Sequence, residues 1–467
     1  MKILLISANK EMLPDPVAPL GLAYLAAALT DKQHEITIAD LCFVQGDKKT
    51  LGNTILSFKP DIIAVSVRNI DNVSFPNSIS YLPFYKEVVS WCREYSRAPI
   101  IAGGAGFTLM PDDILTYIDA DYGIVGEGEE SLPKLITAIA DGGQRIDVSG
   151  VITRRSSFKR QKGPSAFLDF DRIPFPRRDL LDTNTYMRYG GMGNIQTRRG
   201  CIGRCIYCTY PLIEGKAVRL RNPQKVADEI EYMKKELNID TFFIVDAVFN
   251  YPPENAQDMC KELIKRNLMV KWSCYCSPAF ASEDLLSLMK ESGCTGVEFG
   301  TDSCANTVLQ NLRKDFTLQD IIEASQACRK ADMSYCHSLL FGAPGETKQT
   351  VIETLRIMDD INPTAVIIMT GIRIYPGTEL ARIAEMEGII AEREISLNPV
   401  FYMSSAVESS ILEVVGEYAQ KHSNCIVPGQ NIMSDYAMQK KLRHYGIKGP
   451  LWEHMKFRRQ KRKASQQ

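Results

Sequence analysis

The chain has 467 residues, 55 Lys and Arg against 56 Asp and Glu for a net charge of -1, and 45% hydrophobic residues. That length exceeds one ordinary core and predicts two or three domains, and the composition is that of a globular protein. The balanced charge excludes a global pull toward nucleic acid or a membrane surface, and no apolar stretch reaches the roughly 18 residues that a membrane span needs. The opening Met1–Ser7 run has the length of a strand and not the build of a signal peptide. With thirteen cysteines, an odd number, the chain reads as cytoplasmic with reduced thiols.

In the first part, predicted strands Lys2–Ser7, Glu35–Ala39, Asp61–Val67, Pro99–Gly103 and Tyr122–Val125 alternate with helices at Leu20–Leu29, 81–95 and 130–140. Apolar strands separated by helices predict a parallel, doubly wound α/β sheet of Rossmann type over residues 1–145. Ligands of such sheets sit at the carboxyl ends of strands near the switch in strand order. Those ends carry Ser7-Ala8-Asn9, Ser66-Val67-Arg68-Asn69, Gly103-Gly104-Ala105-Gly106 and Gly126-Glu127-Gly128-Glu129. Glycines there serve either tight turns or close approach of backbone to a ligand. Residues 146–190, with Pro174, Pro176 and mixed charge, read as an ordered linker.

From 191 to 385 strands and helices alternate again. The predicted strands are Gly193–Thr197, Thr241–Val245, Met269–Cys274, Gly296–Gly300, Ser334–Phe341 and Ala365–Tyr375, and helices lie near 223–237, 254–267, 282–292, 317–332 and 347–360. Ser282 and Thr317 suit N-caps and Pro223 a first helical turn. Six such units predict a partial (β/α)6 barrel, with chemistry at the carboxyl ends of its strands. Residues 386–467 form a small extension. Its basic run, Lys456, Arg458, Arg459, Lys461, Arg462 and Lys463, reads as a solvated tail rather than an RNA-binding arm.

The first barrel strand leads into Cys201, Cys205 and Cys208, a C-x3-C-x2-C spacing that supplies three thiolates and no fourth. A [4Fe–4S] cluster usually takes four cysteines, so three leave one iron open to a ligand. A structural zinc site completed from elsewhere, or free buried thiols, are the other readings of the spacing alone. On β-strand alternation Trp272, Cys274 and Cys276 share one face, either lining the barrel interior or filling core. His337 reads as a core histidine or a proton donor, and Phe401, Tyr402 and Met403 as substrate cap or packing.

With Tyr207 as the aromatic, the loop resembles the C-x3-C-x-aromatic-C signature of the radical S-adenosylmethionine (SAM) superfamily. The resemblance implies a [4Fe–4S] cluster on Cys201, Cys205 and Cys208 whose open iron binds SAM. It implies SAM contacts from Tyr207, Asp246, Glu298, Gly300, Asp302, Ser303 and Arg373, with Tyr375 bordering the active centre. Phe341-Gly342-Ala343-Pro344-Gly345-Glu346-Thr347 is similar to the family's G-x-P-G-E-T turn, in which Glu346 and Thr347 start a helix. Ala247 departs from the family's paired acids after strand two. Pro19–Leu25 and the glycine-rich strand ends resemble a cobalamin (B12)-binding domain, implying contacts from Asn9, Gly21, Ser66, Arg68, Asn69, Gly103, Gly104, Gly126, Glu127 and Gly128. There is no D-x-H-x-x-G motif, and the first domain's single histidine, His34, lies in a helix-to-strand connection; no histidine ligand to cobalt is expected.

The resemblance implies an enzyme that cleaves SAM to a 5′-deoxyadenosyl radical, for cobalamin-dependent methylation of an unactivated carbon. Ring formation, rearrangement or oxidoreduction without net methyl transfer, with or without B12, is the alternative, and an Fe–S electron carrier a distant one. Flavodoxin or ferredoxin would donate electrons, and the substrate is a small molecule, lipid or peptide.

Overall fold

The computed structural model describes residues 1–30, 34–44, 46–142, 146–154, 168–391, 397–428 and 436–455. The basic tail lies outside them. Strands β1 (Lys2–Ser7), β2 (Glu35–Asp40), β3 (Ile62–Ser66), β4 (Ile100–Gly103), β5 (Tyr122–Ile124) and β6 (Val151–Thr153) form one sheet in the order β2-β1-β3-β4-β5-β6. Alternation along the strands explains its two covered faces. Leu4, Ile6, Ile63, Val65, Ile100 and Ala102 enter one core, and Ile3, Leu5, Ile62, Ala64 and Ile101 the other. The order reverses between β1 and β3, so the switch point lies beside Ser7 and Ser66.

Two details differ from the sequence expectation. β6 pairs antiparallel with β5, Gly123 opposite Ile152, so the first domain runs past 145 into the expected linker. Helices Lys48–Phe58, Ala105–Leu109 and Pro111–Ile118 were not anticipated. Lys48–Phe58 buries only Leu51, Gly52 and Ile55 and starts at Asp47, whose side chain accepts from Thr50 N; so thin an apolar stripe leaves little periodicity to read.

In the second domain a two-residue ribbon of β8 (Arg198–Arg199) and β9 (Arg219–Leu220) follows β7 (Gly193–Ile195). Then come β10 (Thr241–Ile244), β11 (Lys271–Cys276), β12 (Cys294–Asp302), β13 (Ser334–Phe341), β14 (Ala365–Thr370), a second ribbon of β15 (Ile372–Arg373) with β16 (Phe401–Tyr402), and β17 (Cys425–Ile426). The main sheet is β7-β10-β11-β12-β13-β14-β17, parallel throughout and in chain order. Each crossover therefore steps the same way, the winding of an open barrel. Ser282 and Thr317 cap their helices as expected, and Pro223 opens Pro223–Glu236.

Among the described residues the sheet has seven strands, because the C-terminal extension supplies β17. The strand expected over Ala365–Tyr375 breaks at Gly371, whose φ is +70° and whose added Cβ would stand 2.8 Å from the Phe75 ring. Trp272, Cys274 and Cys276 are all buried in the core between sheet and outer helices. Ser273 and Tyr275 occupy the opposite, inward face. His337 also points outward: its Nδ1 meets Thr301 Oγ1 at 2.7 Å and its Nε2 meets Ser325 Oγ at 3.0 Å. Burial holds its pKa down at about 3, so it is a neutral core histidine.

Candidate active site between the two sheets

The cysteine loop is strung between the arms of the β8–β9 ribbon. Cys201, Cys205 and Cys208 are partly exposed thiols with no disulfide. An added Cβ on Gly203 would stand 3.3 Å from Cys201 Sγ and 3.9 Å from Cys205 Sγ, so these two thiols turn toward the same glycine. At Gly200, φ is +88° and a Cβ would collide with the Ala217 carbonyl, which makes glycine the residue for this entry turn. Gly200 N donates to Glu214 Oε2 (3.0 Å) and Cys201 N to the Gly215 carbonyl (3.1 Å), closing the loop on itself. Among the described residues no three His, Cys, Asp or Glu side chains converge on a single-ion site.

Tyr207 is tied down rather than free. Its hydroxyl donates to Asp302 Oδ2 at 2.6 Å, and Lys314 Nζ meets the same oxygen at 2.9 Å. Asp302 stands at a bulge in β12 with φ +62°. Sequence reasoning missed Lys314, whose position past the end of a helix belongs to no motif. Ile206 N donates to the Leu312 carbonyl and Leu380 N to the Ile206 carbonyl, so the loop's far side is fastened to the barrel. Burial pushes the Cys208 thiol up to about 12, which a bound iron would reverse.

Several residues expected to touch SAM are committed elsewhere. Asp246 is buried and accepts from Thr197 N at 2.8 Å, from Thr197 Oγ1 and from Arg198 N, which fixes the approach to the cysteine loop. Burial lifts its pKa to about 6 against those hydrogen bonds. Ser303 Oγ is buried against Thr354 Oγ1 and accepts from Ala305 N. Arg373 pairs with Asp71 of the first domain, Nε to Oδ2 at 2.9 Å, both side chains almost fully buried. This correction has a plain cause: β15 turns toward the first domain, and the guanidinium finds its carboxylate there. Tyr375 lies 4.9 Å from the Arg373 guanidinium and packs on the first domain's core. Glu298 and Gly300 do face the barrel interior, with Glu298 Oε1 accepting from Ser338 Oγ at 2.6 Å. Glu346 folds back, as Thr347 caps the next helix, and accepts from Gly342 N and Ala343 N.

On the first sheet, Asn9 follows β1 at the switch point. Its Nδ2 is buried with no hydrogen-bond partner among the described residues, an orphan donor of the kind a bound ligand satisfies. Arg68 and Asn69 are exposed beyond β3. Ser66 Oγ lies beside Gly104, which has φ +105° and whose added Cβ would stand 2.8 Å from the Val67 carbonyl oxygen; Gly103 accepts from Val67 N. Gly126 N donates to Thr108 Oγ1, Gly128 opens its helix against Leu25, and Gly21 has open space where a side chain would stand. These residues fit a ligand at the switch point. Glu127 does not join them. Its carboxylate takes two hydrogen bonds from Arg219 (2.6 and 2.9 Å) and lies 3.4 Å from Arg199, which also pairs with Glu129 at 2.6 Å. Burial opposes its ionisation, yet the two guanidiniums hold it below the usual carboxylate range. His34 precedes β2, at the opposite end of the sheet from the switch point.

Both arms of the ribbon thus grip the first domain, and the cysteine loop between them faces its strand ends. Helix Ala105–Leu109 packs on Tyr210–Ile213, just after Cys208. The Arg68 guanidinium lies within electrostatic reach of Tyr210 and of Tyr275 on β11. The cysteine loop and the strand ends of the first sheet are thus neighbours across the domain boundary.

Comparison with known proteins agrees. The Radical SAM superfamily model matches residues 195–358 and the B12 binding domain model residues 10–136. The chain is 26% identical over 456 residues to tryptophan 2-C-methyltransferase of Streptomyces laurentii, covering 84% of this chain and 76% of that protein. It is 23% identical over 368 residues to hopanoid C-3 methylase of Methylococcus capsulatus, covering 77% and 67%. A radical S-adenosylmethionine methyltransferase from Kitasatospora setae, solved with cobalamin and a [4Fe–4S] cluster, superposes with TM-score 0.85 at 23% identity over 100% of both chains. The chain thus carries a B12-binding domain ahead of a radical SAM domain.

Proposed function

We propose that the protein is a cobalamin-dependent radical SAM methyltransferase acting on an unactivated carbon. The observation that carries this reading is the clamp of Arg199 and Arg219 on Glu127, which fastens both arms of the cysteine-loop ribbon to a strand end of the B12-binding domain. When bound, the cluster and SAM supply the hydrogen-abstracting radical, and cobalamin supplies the methyl group. Cys201, Cys205 and Cys208 would hold the cluster through their three thiolates. Tyr207, Asp302 and Lys314 fix the loop's rear, so the thiols keep their places as charge changes. Asn9, Arg68 and Asn69 offer polar groups to the corrinoid. Flavodoxin or ferredoxin is the electron donor in this reading. The two relatives act on different substrates, tryptophan in one and a hopanoid in the other, and the carbon acceptor is set by the barrel interior.

Anaerobically reconstituted protein tests the reading. Retained corrinoid absorbance, with S-adenosylhomocysteine and 5′-deoxyadenosine formed together, is the expected result; protein that keeps no corrinoid overturns it. 5′-Deoxyadenosine alone marks a ring-forming or rearranging reaction, and neither product marks an electron carrier.

A further inference from the structure

The two residues of β8 turn opposite ways, as strand neighbours must. Arg199 reaches out to Glu127 and Glu129 of the first domain. Arg198 turns in beneath the cysteine loop and is 2% exposed. Its Nη2 donates to the Gly200 carbonyl at 3.1 Å and its Nη1 to the Tyr251 carbonyl. The guanidinium thus joins the loop's entry turn to the segment after β10, with its Cζ 5.9 Å from the Tyr251 ring centroid. Its Nε is buried with no hydrogen-bond partner among the described residues.

What this arginine lacks is an anion. Around the loop, Arg199 and Arg219 share Glu127, Lys314 meets Asp302 and Arg221 meets Glu229. Arg198 commits its hydrogen bonds to neutral carbonyls and makes no ion pair among the described residues. Asp246, Cys201 and Glu214 lie within its electrostatic reach. The two carboxylates are engaged by other donors, Asp246 by Thr197 N and Arg198 N and Glu214 by Gly200 N. Cys201 is the group left, a partly exposed thiol next to the same turn. A guanidinium out of water is costly unless a charge meets it, and three ligating thiolates bring negative charge to this loop. The reduction potential of an iron–sulfur cluster follows its net charge, the hydrogen bonds to its sulfurs and its exposure. A fixed cation favours the more negative state, which is the reduced one.

We propose that Arg198 is a positioning residue for the cluster: its enclosed guanidinium balances the charge of the three thiolates and raises the reduction potential, which eases entry of one electron from a flavodoxin- or ferredoxin-type carrier. The carrier is oxidised, the cluster gains one negative charge, and no bond of the protein changes. This deepens the methyltransferase reading and rests on Cys201, Cys205 and Cys208 holding the cluster.

The test is a potentiometric titration of the full, anaerobically reconstituted protein, with the reduced cluster read by electron paramagnetic resonance before SAM is added. At a fixed potential Arg198→Met should lower the ratio of reduced to oxidised cluster at least about tenfold, a fall of about 59 mV in midpoint for one electron. Arg198→Lys, which keeps the charge, should stay within about threefold of the wild type on the same scale. Arg198→Gln, neutral but able to donate to one of the two carbonyls, should fall with Arg198→Met and takes its place if that variant does not fold. Equal midpoints in the wild type and a folded neutral variant, or a fall in Arg198→Lys as large as in the neutral variants, overturns the proposal. Loss of iron from both neutral variants with its retention in Arg198→Lys supports the charge balance; loss from Arg198→Lys as well overturns it. Wild type that takes up no iron overturns the ligand set and this proposal with it, whereas an unshifted midpoint overturns the role of Arg198 alone.

Discussion

At the scale of single residues, the same side chain types serve opposite ends according to what surrounds them. Cys274 and Cys276 are apolar filling, with sulfurs 3.6 Å apart in a sealed core, whereas Cys201, Cys205 and Cys208 sit in a polar loop open to a ligand. Replacing Cys205 by alanine should remove the cluster's visible absorbance and abolish SAM cleavage, measured by 5′-deoxyadenosine; residual turnover refutes the ligand set. Glu346 gives a pH effect of definite sign. Burial raises its pKa from 4.5 to about 7 against two backbone hydrogen bonds, and its Oε1 is buried without a partner. The folded state therefore holds the proton more tightly than the unfolded one, and stability falls as pH rises from 4.5 to about 7. Relative to Glu346→Gln, the wild type should lose up to about 3 kcal/mol across that window in denaturant titrations. Parallel curves for the two proteins would show that the carboxyl is not proton-linked to folding.

Among elements, the short ribbons decide how the domains meet. Neither β8–β9 nor β15–β16 contributes to a main sheet, but each presents an arginine to a carboxylate of the first domain. A buried pair is weak evidence for stability when intact, because both charges are desolvated; removing one partner is expensive. Asp71→Ala should thus cost about 3 kcal/mol by leaving Arg373 buried and uncompensated, while Asp71→Ala with Arg373→Met should recover a good part of that. Additive losses in the double-mutant cycle would mean that the pair does not couple the domains. The ribbons also show why some site expectations moved. Glu127 lies in a glycine-rich strand end typical of a ligand loop, and Arg373 at a strand end typical of a carboxylate binder. Each found its opposite charge across the boundary, which no local pattern displays.

For the whole molecule, the C-terminal extension belongs to the barrel. Val407, Ile411, Val415, Tyr418 and Cys425 are buried in the barrel core, and Cys425–Ile426 pairs with β14. Full burial of such side chains is worth about 1.5–3 kcal/mol each, so their sum rivals the 5–15 kcal/mol or so that usually holds a domain folded. A chain ended after Tyr402 should fail to give a cooperative thermal transition and should aggregate along the exposed β14 edge. A soluble truncated protein with an unchanged melting temperature would assign the extension to the periphery. Among the described residues no helix is long and apolar enough to cross a membrane.

The two α/β domains, most strands of the two main sheets and the three-cysteine spacing were legible in the sequence. Apolar runs of strand length, helix caps such as Ser282 and Thr317, and a ligand spacing confined to eight residues are all local, and local chemistry is what a sequence displays. β17 was not legible, because two residues of strand make no period and their partner lies some sixty positions earlier. The inward turn of Tyr275 and Glu298, the Tyr207–Asp302–Lys314 tether and the clamp on Glu127 were decided by tertiary structure alone. Each depends on which face of a strand meets a helix, or on charges brought together from distant parts of the chain, and burial sets the strength of such contacts only after the fold has formed.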